Sequence, residues 1–393
     1  MDERQRREKA IQKYEGGESP KVVYIDLKRS ESWFFKWLKR YREGGDDWAQ
    51  DRSRRPHHVP HKVNKGMEEA VIDIRKHLES QRYTQIGALN ISWHLKKKGL
   101  ATPSFSTINR ILKRNNLVHK KQPYEPKGVD YPHVEILCSN HLHQFDIVGP
   151  RFLKNDGRFY SANIIDAYDR RCSVNPERRK NRIAVTKALI NCWQTLGIPS
   201  YLQMDNILTA RGSNRYPHSF GLVIRLCLTL GIQPLFIPLN EPWRNGIIEH
   251  FQNVFDKMLF RSQVFQGFSH FCEEAKIFEL FHNQNHRYST LNGKTPVEKF
   301  SGKGRCLAQD FKLPKTLAIA DGYVHIVRFI RSNRMLDIFG EKFVMPSEVE
   351  YEYVWAIIDI KNEKLKVYHD SNLIKELDYS LPKTALDLSE FDL

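Results

Sequence analysis

Apolar residues near the start of the chain recur with the period of an α-helix and leave a polar, basic face. Residues 4–15 and 20–28 predict two short helices, separated by Gly16-Gly17. A third helix is predicted between Ser30 and Gly44-Gly45. Its inward face holds Trp33, Phe34, Trp37, Leu38 and Tyr41, and its outward face holds Ser32, Lys36, Lys39, Arg40 and Glu43. This pattern is typical of a helix-turn-helix module whose third helix enters the major groove of DNA, and equally of a plain helical bundle with a solvated basic face.

A second unit of the same kind is predicted over residues 66–119. Its last helix, in PSFSTINRILKRNNL, turns Ile108, Ile111 and Leu112 inward and presents Ser106, Arg110, Lys113 and Arg114 on the opposite side. The segment between the two modules, DRSRRPHHVPHK, is rich in basic residues and low in apolar ones. We interpret it as a linker whose Arg52, Arg54 and Arg55 follow phosphates or a minor groove, with a plain tether as the alternative.

The hydrophobic period changes after the proline-rich segment 120–132. LHQFDIVG, RFYSANIIDAYD and RCSVNP predict three consecutive strands, with Asp156-Gly157 as a hairpin turn. Helical and strand-like runs then alternate in AVTKALINCWQTLG, PSYLQMD, SFGLVIRLCLTLG and QPLFIP. A meander followed by alternating helices and strands predicts a mixed sheet of five strands with helices on both faces.

Alternating runs such as YVHIVRFI, EYVWAIIDI and KLKVYHD predict a small all-β barrel near the C-terminus. The expected fold class is therefore multidomain, with helical modules, a central α/β core and a β-barrel. The predicted order is a helix-turn-helix domain at 1–50, a basic linker at 51–65, a second, winged-helix-like domain at 66–119, a linker at 120–132, the α/β core at 133–302, the barrel at 312–381 and an acidic tail at 382–393.

The distribution of charge points to a polyanionic partner. The net charge is +16, with 29 Lys and Arg against 16 Asp and Glu in residues 1–128 and 33 against 30 in the remaining 265 residues. A solubilising surface would spread such charge over the whole chain, so we favour DNA binding by the N-terminal part.

The six cysteines are widely spaced and indicate neither a disulfide scaffold nor a zinc cluster. With no apolar leader at the start, we expect a cytoplasmic protein that makes no contact with a membrane.

Three carboxylates stand where strands and a helix bring distant segments together. Asp146 lies in the strand-like HQFDIVGP, Asp205 ends the strand-like LQMDN, and Glu249 lies on a long helix further on. The apolar stripe of that helix is Ile247, Phe251, Val254, Phe255 and Met258. Glu249 falls outside the stripe, level with Asn245 and Asn253, so we expect its carboxylate to face a polar cleft. Singly, each acid has an ordinary structural explanation; together they predict a site for a pair of divalent ions.

The segments that hold these acids resemble the integrase core of DDE transposases and retroviral integrases, which has a ribonuclease H-like fold. The resemblance lies in HQFDIVGP, NIIDAYDRR, LQMDN, PWRNGIIEHFQNVFDK and HNQNHRYSTLNGKTPVEKF. With WLKRYREGGDDWAQDRSRRPHH in front, the chain resembles the IS481-like (IS3-related) bacterial insertion-sequence transposases over residues 5–300. The resemblance implies that Asp146, Asp205 and Glu249 are the catalytic, metal-binding triad, flanked by Asn206, Asn245 and Gly246. The chain departs from the family at residues 207–211, where Ile-Leu-Thr-Ala-Arg replaces the usual Gly and acidic-aromatic pair.

By the same resemblance, two Mg²⁺ ions, with Mn²⁺ as an alternative, would support cleavage at the ends of a mobile DNA element and transfer of the freed 3′-hydroxyl to target DNA. The expected partners are double-stranded DNA, as terminal repeats and as target, and further copies of the chain in a homodimer or higher oligomer. A nucleoid-associated bacterial protein is implied. A ribonuclease H-like nuclease that cuts without joining, and a catalytically silent DNA-binding regulator, are the alternatives.

Overall fold

The computed structural model of the protein describes residues 2–51, 63–118, 129–154, 156–212, 218–302 and 304–389. These residues divide into two compact units, Met1–Asn64 and Lys65–Leu393. Arg52, Arg54 and Arg55 of the predicted linker lie outside the described residues, as does most of the segment 120–132.

The described part of the first unit, residues 2–51 and 63–64, contains three helices, α1 (Glu3–Glu15), α2 (Pro20–Asp26) and α3 (Glu31–Glu43). The start of α3 is capped by the Ser30 side chain, which accepts a hydrogen bond from the Trp33 backbone N–H. Its end is set by Gly44, whose φ of 82° suits glycine. The small core of this unit is formed by Ala10, Ile11, Val23, Phe34 and Leu38. The hydrophobic period of the sequence therefore places these helices correctly.

The second unit begins with three more helices, α4 (Lys65–Glu79), α5 (Ala88–Lys97) and α6 (Phe105–Arg114). The predicted inward residues of α6, Ile108, Ile111 and Leu112, are buried. The turn between α4 and α5 attaches these helices to the remainder of the unit, because Tyr83 packs edge-on against Phe278 with ring centroids 5.5 Å apart.

The remainder of the unit contains a large sheet and its covering helices. The strands are β1 (Leu142–Leu153), β2 (Gly157–Asp166), β3 (Cys172–Glu177), β4 (Tyr201–Met204), β5 (Gln233–Phe236), β6 (Thr316–Leu317), β7 (Tyr323–Phe329), β8 (Met335–Ile338), β9 (Glu341–Val344), β10 (Tyr353–Asp359), β11 (Lys364–His369), β12 (Asn372–Asp378) and β13 (Leu386–Asp387). The helices are α7 (Arg182–Thr195), α8 (Leu208–Arg211), α9 (Leu222–Thr229), α10 (Gly246–Phe255), α11 (Phe268–Asn285) and α12 (Pro296–Lys299).

Within the described residues the central sheet has nine strands rather than the predicted five, in the order β12-β11-β10-β7-β5-β4-β1-β2-β3. Strand β7 pairs in parallel with β5, with Leu235 opposite His325. The C-terminal strands β7, β10, β11 and β12 thus extend the core sheet, and the predicted separate barrel was wrong for this part of the chain. The physical reason lies in β7, which is buried at five consecutive positions. Such a run is typical of a strand inside a sheet that is covered on both faces.

Helices cover the two faces of this sheet. One apolar core joins Phe145, Leu189 and Trp193 with residues of α9 and of the C-terminal strands. A second core on the opposite face joins Val174 with Phe251 and Phe278, so α10 and α11 lie on that side. In the part of the chain that the structure describes, no helix has the length and apolar character needed to cross a membrane.

Candidate functional site

Three polar side chains fix the start of helix α10 on the central strands. The Gln144 amide oxygen accepts a hydrogen bond of 3.0 Å from the Ile248 backbone N–H. The Asn245 amide donates to the Phe145 carbonyl at 3.0 Å, and the Gln203 amide donates to the Asn245 side-chain oxygen at 3.2 Å. Strands β1 and β4 therefore both hold the segment from which α10 starts.

Asp146 and Asp205 follow these contacts on the same side of the sheet. Strands β1 and β4 are parallel, with Gln144 opposite Gln203. Each aspartate lies two positions further along its strand direction, and residues two apart point to the same face. Asp205 comes directly after the end of β4. Their side chains therefore share the face on which α10 packs.

Gln252 connects α10 to the first of these carboxylates. Its amide nitrogen donates to Asp146 Oδ2 at 3.2 Å, and its amide oxygen accepts a hydrogen bond of 3.1 Å from Asn163, which pairs with Asp146 on β2. Glu249 lies one helical turn before Gln252 on the same helix. Gln252 was not among the residues predicted from the sequence; the signal that could have identified it is a polar residue three positions after Glu249, on the same side of the helix.

The charge of Asp146 acts on both of the other carboxylates. Burial, and then the negative charge of Asp146, raise the pKa of Asp205 to about 6. The same two causes raise the pKa of Glu249 above its usual range. Burial raises the pKa of Asp146 also, against the opposing effect of its hydrogen bonds from Ile147 and Gln252. Acids whose pKa values are raised by burial and by a neighbouring carboxylate are typical of functional sites.

One basic side chain, Lys180 in the loop between β3 and α7, acts on this site. It is exposed, and its charge opposes the rise in pKa of both Asp146 and Asp205. Lys180 was not among the site residues predicted from the sequence.

The donor set fits divalent magnesium or manganese, which prefer carboxylate oxygens. One oxygen, Asp205 Oδ1, is buried without a hydrogen-bond partner, as expected of an atom that serves another ligand. Among the described residues, however, no group of three or more His, Cys, Asp or Glu side chains is arranged so that it could hold a metal ion. The chemistry of the site therefore fits the metal, while a complete three-ligand arrangement is not preformed.

The predicted flanking residues have structural partners. Asn206 donates to the Ile237 carbonyl at 2.7 Å, and Asn245 is buried in the contacts described above. Asn245 is the last residue of a short 3₁₀ turn, Pro242–Asn245, that precedes α10, and its side chain is bonded to β1 and β4. That the Glu249 carboxylate faces a polar cleft stays a prediction. Helix α10 itself begins at Gly246. Its fully buried residues are Ile248, Phe251 and Phe255, whereas Ile247, Val254 and Met258 are half-buried.

The predicted DNA-contact residues are mostly exposed on α3 and α6. Those with exposed side chains are Ser32, Lys36, Lys39, Ser106, Arg110, Lys113 and Arg114. Arg40 instead lies over the Trp37 ring at 4.6 Å and donates to the Gln50 carbonyl. Arg114 forms a two-pronged ion pair with Glu68 of α4 at 3.0 and 2.6 Å. These two arginines therefore have partners within their own modules.

The N-terminal part of the chain matches known domain families. Two family models, both described as a Homeodomain-like domain, match residues 1–47 and 33–112. Homeodomain-like domains are helix-turn-helix modules, so the chain carries helix-turn-helix sequence over both sets of N-terminal helices.

Solved structures with which the chain has some similarity include integrases of two viruses. The catalytic core domain of HTLV-2 integrase in complex with magnesium, in dimeric form, is 16% identical, with a TM-score of 0.32 over 42% of this chain and 99% of that chain. Its trimeric form is 15% identical, with a TM-score of 0.33 over the same shares. A chain of the simian T-cell lymphotropic virus intasome in complex with PP2A regulatory subunit B56 gamma is 16% identical, with a TM-score of 0.37 over 76% of this chain and 95% of that chain. All three TM-scores are below 0.5, too low to carry an argument about function.

Proposed function

We propose that the protein is a DDE transposase of the IS481-like group of bacterial insertion sequences, which binds the terminal repeats of a mobile element and catalyses strand transfer. The observation that carries this proposal is the set of Asp146, Asp205 and Glu249, whose pKa values are raised by burial, with the charge of Asp146 acting on the other two. A cluster of acids with raised pKa values is costly to keep unless a cation binds there. Helix-turn-helix modules in front of such a site supply a reader of DNA ends.

Asp146, Asp205 and Glu249 would hold the Mg²⁺ or Mn²⁺ ions. When bound, a pair of such ions polarises the phosphodiester and favours the deprotonated form of the attacking water or 3′-hydroxyl. The chain's own residues then have distinct tasks. Gln252 and Asn163 orient Asp146 through their amide groups, and the unpartnered Asp205 Oδ1 offers a free ligand position. Lys180 lies where its charge can attract the phosphate backbone of the substrate.

The proposed partners are duplex DNA and further copies of the chain. The exposed basic residues of α3 and α6 would contact the terminal repeats, with Lys36 and Lys39 on the first module and Arg110 and Lys113 on the second. Two element ends have to be joined together, so the active form on DNA would be a dimer or a larger oligomer. We place the protein in the bacterial cytoplasm, on the nucleoid.

The test is strand transfer with a pre-nicked element end and labelled target DNA. We expect Asp146→Asn to lower Mg²⁺-dependent cleavage and joining by more than about 100-fold, since the loss of a supporting residue alone lowers metal-site activity by about 10- to 100-fold. Binding to the element ends should stay within about twofold of wild type. The matched control is Glu273→Gln, which removes one exposed negative charge from α11 and should leave all three activities unchanged. Equal joining by Asp146→Asn and wild type would refute the proposal.

The alternatives give different products in the same assay. A ribonuclease H-like nuclease would cut the ends in Mg²⁺ and yield no joined product. A silent regulator would bind the ends and cut nothing in either Mg²⁺ or Mn²⁺. The silent regulator is favoured by the segment after Asn206, which departs from the family pattern next to the site. In this segment Ile207 packs against the main core and α8 follows directly.

A further inference from the structure

The C-terminal strands contact the two segments that flank the candidate site. Strand β7 lies beside β5 and strand β10 beside β7. Each of them sends one side chain to a segment that leads to or from a triad carboxylate. The two side chains are Arg328 of β7 and Tyr353 of β10.

Arg328 holds the segment that follows Asp205. Its Nη2 donates to the Asn206 side-chain oxygen at 2.7 Å, and its Nη1 donates to the Ile237 carbonyl at 3.2 Å. Asn206 donates to the same carbonyl at 2.7 Å, so arginine, asparagine and strand end form a closed set of hydrogen bonds. The arginine is only 3% exposed, and the Asp337 carbonyl accepts from its Nε at 2.9 Å. The guanidinium is therefore fixed on both sides, and with it the residue after Asp205.

Tyr353 holds the segment that leads into α10. Its hydroxyl donates to the Glu241 carboxylate at 2.9 Å and accepts from Arg244 Nη2 at 3.0 Å. Arg244 also donates to Glu241 at 2.9 Å, and its guanidinium lies 4.1 Å from the centre of the Tyr131 ring.

The same segment is tied to the central strands by its backbone. The Arg244 carbonyl accepts a hydrogen bond of 3.2 Å from the Gln203 amide. The next residue is Asn245, which is bonded to β1, and α10 starts one residue later. The segment is thus held between β10 on one side and β1 and β4 on the other, only a few residues before Glu249.

We propose that the C-terminal strands are part of the frame that positions the triad, with Arg328 as a positioning residue for Asp205 and Tyr353 as one for Glu249. This inference rests on the proposed function, because it assigns a role toward the same site. Neither residue is proposed to touch the substrate. The expected consequence of losing one of these contacts is weaker binding of the metal ions, because the ions would then also have to order the segments that carry Asp205 and Glu249.

The test is Mn²⁺ binding to the full-length protein without DNA, measured by isothermal titration calorimetry. We expect Tyr353→Phe, which removes one hydroxyl and keeps the ring, to weaken Mn²⁺ binding by about 10-fold. The melting temperature of the metal-free protein should stay within about 3 °C of wild type. The control is Tyr323→Phe on β7, whose ring is 45% exposed, and it should bind Mn²⁺ as wild type does. Unchanged Mn²⁺ affinity in Tyr353→Phe overturns the inference.

A second variant tests the other contact. Arg328→Lys keeps the charge and loses the fork that reaches both Asn206 and Ile237, and we expect a fall in Mn²⁺ affinity of at least the same size. If its Mn²⁺ affinity is that of wild type in folded protein, the role of Arg328 is refuted. Should Arg328→Lys not fold, the calorimetry of Tyr353→Phe decides alone.

Failure of the proposed function gives a different result. Asp205→Asn should abolish the heat of Mn²⁺ binding that is measured for wild type. A wild-type protein whose Mn²⁺ binding does not depend on Asp205 would refute the metal site itself. Asp205-dependent binding that is the same in wild type, Tyr353→Phe and Arg328→Lys would refute only the positioning role.

Discussion

Gln252 is the side chain through which helix α10 reaches the first carboxylate of the candidate site. It bridges Asp146 and Asn163, and Asn163 in turn accepts a hydrogen bond of 2.6 Å from the Ser161 hydroxyl. These three polar residues form a chain that ends at the carboxylate. The orientation of Asp146 therefore depends on a glutamine amide that donates with one atom and accepts with the other.

This series of hydrogen bonds, from Ser161 through Asn163 and Gln252 to Asp146, predicts a graded effect of substitution on activity. We expect Gln252→Met, which keeps the length of the side chain and removes both hydrogen bonds, to lower the rate of strand transfer by about 10- to 100-fold. Ser161→Ala removes the most distant hydrogen bond and should lower the rate by less than about threefold. Rates are measured at saturating Mg²⁺, with end binding as the control for folding. Equal losses in the two variants would contradict the argument, because they would indicate a general loss of packing.

Helix α6 has an exposed basic face that suits DNA binding, but one arginine of that face forms an ion pair within its own module. Arg110 and Lys113 are exposed, whereas Arg114 is engaged by Glu68 of α4. An arginine fixed by two hydrogen bonds to a carboxylate is less available to a phosphate, because the carboxylate competes for the same fork.

The two kinds of basic residue on α6 should behave differently when they are replaced. Lys113→Ala is expected to weaken binding to the element ends and to reduce the slope of log K against log salt by about 0.9, the contribution of one phosphate contact. Arg114→Ala is expected to keep that slope and to lower the melting temperature. Glu68→Ala should lower the melting temperature at least as much, because it also removes the hydrogen bond of 3.0 Å from the Asn115 amide. Fluorescence anisotropy over a range of salt concentrations measures the slopes. A reduced slope in Arg114→Ala would show that this arginine contacts DNA.

The elements differ in how far the sequence could predict them. Helices α1 to α6 follow from local hydrophobic period and capping, so Ser30, Gly44 and the inward residues of α6 were readable from the sequence. The partner of β7 was not readable, because strand pairing is decided by residues far apart in the chain and the alternating pattern fits a barrel strand and a core strand alike. The triad could be proposed from the order of its segments and from their resemblance to a known family. The contacts of Gln252, Arg328 and Tyr353 emerge only once the fold is known.

At the scale of the whole molecule, His325 lies on β7, where the C-terminal strands join the core sheet. We call this contact between β5, β7 and β10 the joint. Its ring is buried between β5 and β10: Nδ1 accepts a hydrogen bond of 3.0 Å from the Trp355 indole N–H, and Nε2 lies 2.7 Å from the Gln233 side-chain oxygen. Only the neutral ring with its proton on Nε2 satisfies both contacts. Burial lowers the pKa of His325 to about 4.

The joint should therefore weaken in mild acid. Because the folded pKa lies below the unfolded value of about 6.5, the neutral ring contributes its full stability above pH 6.5 and loses it as the pH falls toward 4. The wild-type free energy of unfolding should fall by about 2 kcal/mol more between pH 7.5 and 5 than that of His325→Gln, whose side chain does not titrate. Urea unfolding at the two pH values measures this difference. As a control, His133→Gln at an exposed position should keep the wild-type pH dependence of the free energy of unfolding. If His325→Gln also keeps it, the acid sensitivity of the fold does not arise at this joint.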